Sequence, residues 1–177
     1  ELNDQSDKDK EQTKEDLANL LNKTKEFQKN VERLKKDVMN SKSIDWKAKN
    51  QLEKLRSDQM ELNKALQNLQ QDMEKNAEEK NQLSETDPLL LEKQAQIEEL
   101  MKELMDEEMM DLLKKLEELM REQNKDKIQN ELEKLDQNAE DRNKQLDRSL
   151  EMLKKLQVNE KIDDIEKELK ALADEQR

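Results

Sequence analysis

Apolar residues along this chain recur at alternating steps of three and four, separated by charged and amide side chains. From Leu17 they fall at Leu17, Leu20, Thr24, Phe27, Val31, Leu34 and Val38, the spacing that lays one narrow seam along an α-helix. This predicts a first helix over 13–40. Residues 1–12 hold a single apolar side chain, Leu2, and are expected to be frayed or disordered, because nothing there offsets the entropy of ordering. Asn40, Ser41 and Ser43 then interrupt the seam. Ser43 has the side chain of an N-cap, with Asp45 in the turn behind it, so a tight hairpin leads into a second helix over 43–84. That helix carries Ala48, Leu52, Leu55, Gln59, Leu62, Leu66, Leu69, Met73 and Ala77 in the same alternation.

Ser84-Glu85-Thr86-Asp87-Pro88 is the clearest punctuation. Asp87 reads as an N-cap, and Pro88 stands in the first turn, where a missing amide costs nothing. The third helix, over 87–122, differs because its apolar residues come in doublets: Leu100 and Met101, Leu104 and Met105, Met109 and Met110, Leu112 and Leu113, Leu119 and Met120. A stripe that broad touches two neighbours. After a short polar joint, Ile128, Leu132, Leu135, Ala139, Arg142, Leu146, Ser149, Leu153 and Leu156 resume the alternation in a fourth helix over 126–157. Val158, Ile162, Ile165, Leu169 and Leu172 keep the spacing but enter two residues out of phase with Leu156. The slip predicts a break, with Asn159 capping a fifth helix over 159–177.

Composition agrees with an all-α fold. Glycine is absent, proline occurs once and aromatics make up 1%, so hairpin turns and sheets lack their usual residues. Only 31% of the chain is hydrophobic while 45% is charged, which rules out a thick globular core. The expected architecture is an elongated antiparallel helical bundle or coiled coil of four to five helices joined by short turns.

A net charge of -12 argues against nucleic-acid binding, which needs clustered Lys and Arg and stacking aromatics. Cysteine and histidine are both missing, which removes disulfides, thiolate nucleophiles, imidazole catalysis and zinc sites together. No run approaches the roughly 20 apolar residues of a membrane span and no signal peptide opens the chain, so this segment is expected to make no direct membrane contact. Starting at Glu1 and stopping in helix-forming sequence at Arg177, the chain reads as a piece cut from something larger.

Three constellations invite a functional reading. Glu98, Glu99, Glu103, Asp106, Glu107, Glu108 and Asp111 form an acidic cluster, but bundle dimetal sites add histidine and calcium loops need glycine; a solvated face is expected, with no metal, cofactor or catalytic residue. Met101, Met105 and Met109, with Leu112, Leu113 and Leu116, read either as core filler or as an adaptable groove for a partner helix. Trp46 is expected to staple the hairpin, or else to mark a contact with a further part of the protein. Charge is uneven as well: the first helix is net positive and the third strongly acidic, a difference that can bias which helices lie together.

The stretch Ser41-Lys42-Ser43-Ile44-Asp45-Trp46-Lys47, with the Gln-rich helix after it, and the stretch Asn143-Lys144-Gln145-Leu146-Asp147-Arg148-Ser149-Leu150-Glu151-Met152-Leu153-Lys154 resemble the large membrane-anchored proteins of Bacteroidota that carry long Glu/Lys/Gln-rich helical regions. The resemblance covers most of the chain. It implies membrane helices elsewhere in a parent protein and a periplasmic placement for this region, and it carries no known activity. The expected function is that of a non-enzymatic structural or scaffolding region, working through protein partners or self-association along helical seams. A binding module built on the Met-rich third helix is the alternative.

Overall fold

The alternating seams fold as α-helices packed side by side. The computed structural model describes residues 2–83, 88–103 and 107–176, and among these there is no strand. Among the described residues five helices follow one another: α1 (Leu2–Asn40), α2 (Trp46–Leu83), α3 (Pro88–Glu103), α4 (Glu108–Arg121) and α5 (Lys125–Glu175). They occupy four positions, because α3 and α4 both lie between α2 and α5. Around the bundle the order is α1, α2, α3 with α4, then α5, which closes back on α1. Short joints force each arm to run against its predecessor.

The core is the predicted seam. Leu17, Leu20, Thr24, Phe27, Val31, Leu34 and Val38 of α1 are all buried, as are Ala48 through Met73 at seam spacing in α2 and Ile128 through Leu156 in α5. Burying an aliphatic side chain contributes about 1.5–3 kcal/mol, so the long helices are held by tertiary packing more than by their own propensity.

Several boundaries differ from expectation. α1 starts at Leu2 instead of leaving residues 1–12 unstructured. A nucleated helix gains one hydrogen bond for each residue it adds, and Gln12 with Asp16 (2.9 Å) and Lys14 with Glu11 (3.8 Å) pair at helical spacing. α2 starts at Trp46, so Ser43 is not its cap. Asp45 takes that role, its Oδ1 accepting from the Ala48 amide at 2.9 Å, while the Ser43 carbonyl accepts from Ser41 Oγ.

The expected third helix is divided into α3 and α4. Like charges one turn apart repel inside a helix, whereas Glu108 and Asp111 in the first turn of α4 face its positive end. Pro88 is the first residue of α3; Asp87 and Met105 lie outside the described residues. The break at Asn159 is absent, because α5 runs without interruption from Lys125 to Glu175. A mid-helix Asn costs well under about 1 kcal/mol, less than leaving the amides and carbonyls of two new helix ends unbonded.

Candidate interaction surfaces

The Met and Leu stripe of the third arm is interior. Met101 and Met109 are buried, Leu113 and Leu116 have no exposed surface, and Leu112 is half-buried against the same core. The described side chains of the stripe pack between α2 and α5, as core residues do. Residues 13–40, the net-positive part of the first arm, and the acidic third arm lie diagonally opposite: among the described residues α1 does not contact α3 or α4.

Charge pairing instead joins neighbours around the bundle. Lys35 of α1 reaches Glu133 and Asp136 of α5, and its hydrogen bond to Glu133 raises the lysine pKa despite burial. Arg56 of α2 meets Glu117 of α4 at 2.9 Å. Glu131 of α5, with only 6% of its side chain exposed, accepts from Lys115 of α4 at 3.1 Å and from Lys134 at 3.2 Å. Burial alone would push that carboxyl up, but the two lysines outweigh it and hold its pKa below the usual value.

Halfway along, the apolar seam gives way to a polar layer. Arg142 is buried over the Phe27 ring, 4.9 Å from its centroid, and donates through Nη1 to Gln59 Oε1 at 2.5 Å. Its Nε and Nη2 have no hydrogen-bond partner among the described residues, and burial lowers its pKa to about 10. Next to it, Asn143 donates to Gln28. Thr24 and Ser149 satisfy their hydroxyls on carbonyls of their own helices, those of Leu21 and Gln145.

The end of the bundle that joins α1 to α2 and α4 to α5 is tied by hydrogen bonds. α4 ends in a Schellman turn, with Asn124 N donating to Leu119 O and Gln123 N to Met120 O, both at 3.3 Å. Gln123 fills the left-handed position at φ 58°, where glycine is usual. Its side-chain amide grips the other joint, accepting from Ile44 N at 3.0 Å and donating to Ile44 O at 3.1 Å. Lys125 donates to the carbonyls of Met39 and Ser41 at the end of α1, and Asn124 caps α5 by accepting from Lys127 N. Ile44 is buried here, while Trp46 is 77% exposed and therefore does not staple the hairpin.

Beyond Leu156 no described residue is buried. Val158, Ile162, Ile165, Leu169 and Leu172 are 49–60% exposed along one face of α5. Sequence reading found this stripe but assigned it to a separate helix. The residues that continue the bundle-facing phase past Leu156 are Glu160, Asp163, Lys167, Lys170 and Asp174, all charged, and that was the signal that the stripe faces elsewhere.

In the acidic cluster Glu99, Glu103, Glu107, Glu108 and Asp111 are exposed and Glu98 is half-buried; Asp106 lies outside the described residues. Burial, helped by the nearby Glu74, raises the Glu98 pKa against the opposing pull of Lys102. Among the described residues no three acids are placed to hold a metal ion. A shallow groove between α2 and α4 is floored by Leu52, Leu113 and Met120 and bridged by Arg56 and Glu117. No family model, curated protein or solved structure matches this chain.

Proposed function

We propose that this chain is a non-enzymatic structural coiled-coil region that spans distance and presents helical surfaces to partner proteins. The observation that carries the reading is α5, a helix of 51 residues that would extend about 76 Å at 1.5 Å per residue. It forms one wall of the bundle and then continues past the last buried layer. The rest of the apolar seam is consumed in making the rod stiff, and the outer faces are left to charged and amide residues.

Membership in a membrane-anchored parent with this region in the periplasm belongs to the same proposal. It is supported by the resemblance of residues 41–47 and 143–154 to Bacteroidota proteins of that kind. Among the described residues no helix is long and apolar enough to cross a membrane, so on this reading the anchor lies elsewhere in the parent. Small-angle scattering tests the spacer claim. A rod of this length has a radius of gyration of about 23 Å, whereas a compact globule of 177 residues would give about 16 Å, and the smaller value overturns the proposal.

A further inference from the structure

The outward apolar stripe on the last part of α5 is the feature least explained by a monomeric rod. The helix turns 100° per residue, so a seam that slips by two residues moves to a direction roughly 160° away. Ile128 through Leu156 face the bundle interior; Val158, Ile162, Ile165, Leu169 and Leu172 therefore face away from it. Because α5 is continuous through the slip, this stripe cannot close on its own bundle. Its five side chains keep strict steps of four and three, the pattern of a helix that packs on another helix along its length.

The flanking charges select the occupant. With Ile162 and Leu169 at the a positions and Val158, Ile165 and Leu172 at d, the g residues are Lys154, Lys161 and Glu168, and the e residues are Asn159, Glu166 and Ala173. When two copies run parallel, each g residue meets the e residue five positions on in its neighbour. Lys161 then meets Glu166, an attractive pair formed twice by symmetry, while Lys154 and Glu168 meet the neutral Asn159 and Ala173. In the antiparallel register that aligns the whole stripe, with Val158 opposite Leu172, Lys161 meets Glu168 but Glu166 meets Glu166, so at full overlap the parallel arrangement is the one free of a like-charge pair. The geometry points to parallel self-association of the chain through the 158–172 stripe of α5, with a second copy as the occupant. This deepens the scaffold proposal and rests on it, since it names the surface through which rods are gathered. Valine and isoleucine at d, where two-stranded coils prefer leucine, leave room for a third strand.

Sedimentation or light scattering at near-physiological salt, on the whole chain at a few hundred micromolar, reads the mass. Two or three times 21.2 kDa is expected for the parent and 21.2 kDa for Ile165→Asp with Leu169→Asp. Both residues are exposed, so at dilutions where both proteins are monomeric the variant retains the parent's thermal unfolding. Lys161→Glu weakens association roughly tenfold, and adding Glu166→Lys restores it. Gln176→Cys, placed at the next a position in a chain without cysteine, forms an interchain disulfide under oxidation only if the copies are parallel. A parent that stays monomeric, or an oligomer that fails to cross-link at 176, overturns the inference. A monomer with the extended scattering profile leaves the spacer reading standing; a compact monomer removes both.

Discussion

Gln123 holds two joints at once and sits at a backbone angle that disfavours any side chain, so its two effects can be separated. Gln123→Ala keeps the left-handed strain and strips the partners from Ile44 N–H and C=O, for an expected loss of about 1–3 kcal/mol. Gln123→Gly loses the same bonds but relieves roughly 1 kcal/mol of strain at φ 58°, so in thermal denaturation it should melt above the alanine variant and below the parent. Equal melting of all three would mean that the grip on Ile44 is worth nothing. Glu131 gives a pH-dependent case. Because its folded pKa is held below 4.5, its contribution is present above the normal carboxylate range and is lost as pH falls through the folded value. Glu131→Gln should cost about 1 kcal/mol near neutral pH, with the difference in melting temperature closing on acidification below 4.5. A difference that persists in acid would place its cause outside the two lysines. Neither residue was marked as special by sequence. Left-handed turns favour Gly or Asn, so a Gln there leaves no trace, and Ser43 drew the cap away from Asp45 because both residue types cap equally well.

At the scale of the helix the legible information was periodicity. Seam positions from Leu17 to Leu156 could be named because a three-four alternation has one geometric meaning, and even Thr24, Gln59, Arg142 and Ser149 were placed on it. Continuity was less legible: the slip at Val158 looks the same in sequence whether the helix breaks or rotates its seam outward, and only the charged residues in the old phase distinguish the two. The division of α3 from α4 was hidden for a related reason, since Met and Leu doublets keep helical spacing across an acidic run whose repulsion depends on where the helix ends fall. The polar layer at Arg142 is open to a direct test. A buried guanidinium with two unpartnered nitrogens and no carboxylate among its hydrogen-bond partners costs stability. Arg142→Leu with Gln59→Leu should therefore raise stability by about 1–4 kcal/mol while removing the one layer that penalises a shifted helix register. Denaturant titration checks the first effect, and a fall in midpoint would show that the cation over Phe27 outweighs its desolvation.

For the whole molecule, the choice between a region that acts through packing and one that acts through carboxylate chemistry can be put as a ranking of two variants. Leu116 is fully buried in α4 between α2 and α5, and Leu116→Pro removes a helical hydrogen bond and clashes with the preceding turn, at a cost of about 3 kcal/mol or more. Loss of helical signal at low temperature, and of any partner held by the intact rod, is expected. Exchanging Glu103→Gln, Glu107→Gln and Asp111→Asn acts only on exposed side chains and leaves the seam untouched. It reduces the negative charge by three, from -12 to -9, so the expected change is a weaker salt dependence of association with little effect on melting or on partner retention. A structural region ranks the proline far above the amides in every assay. Chemistry carried by the acidic cluster reverses that order, because acids that bind a metal or transfer a proton fail as amides even when the fold is intact. If the amide variant kept its helicity and its partners but abolished the parent protein's activity, the scaffold proposal would be wrong, and a carboxylate-bound metal on the outer face of the third arm would be the reading to pursue.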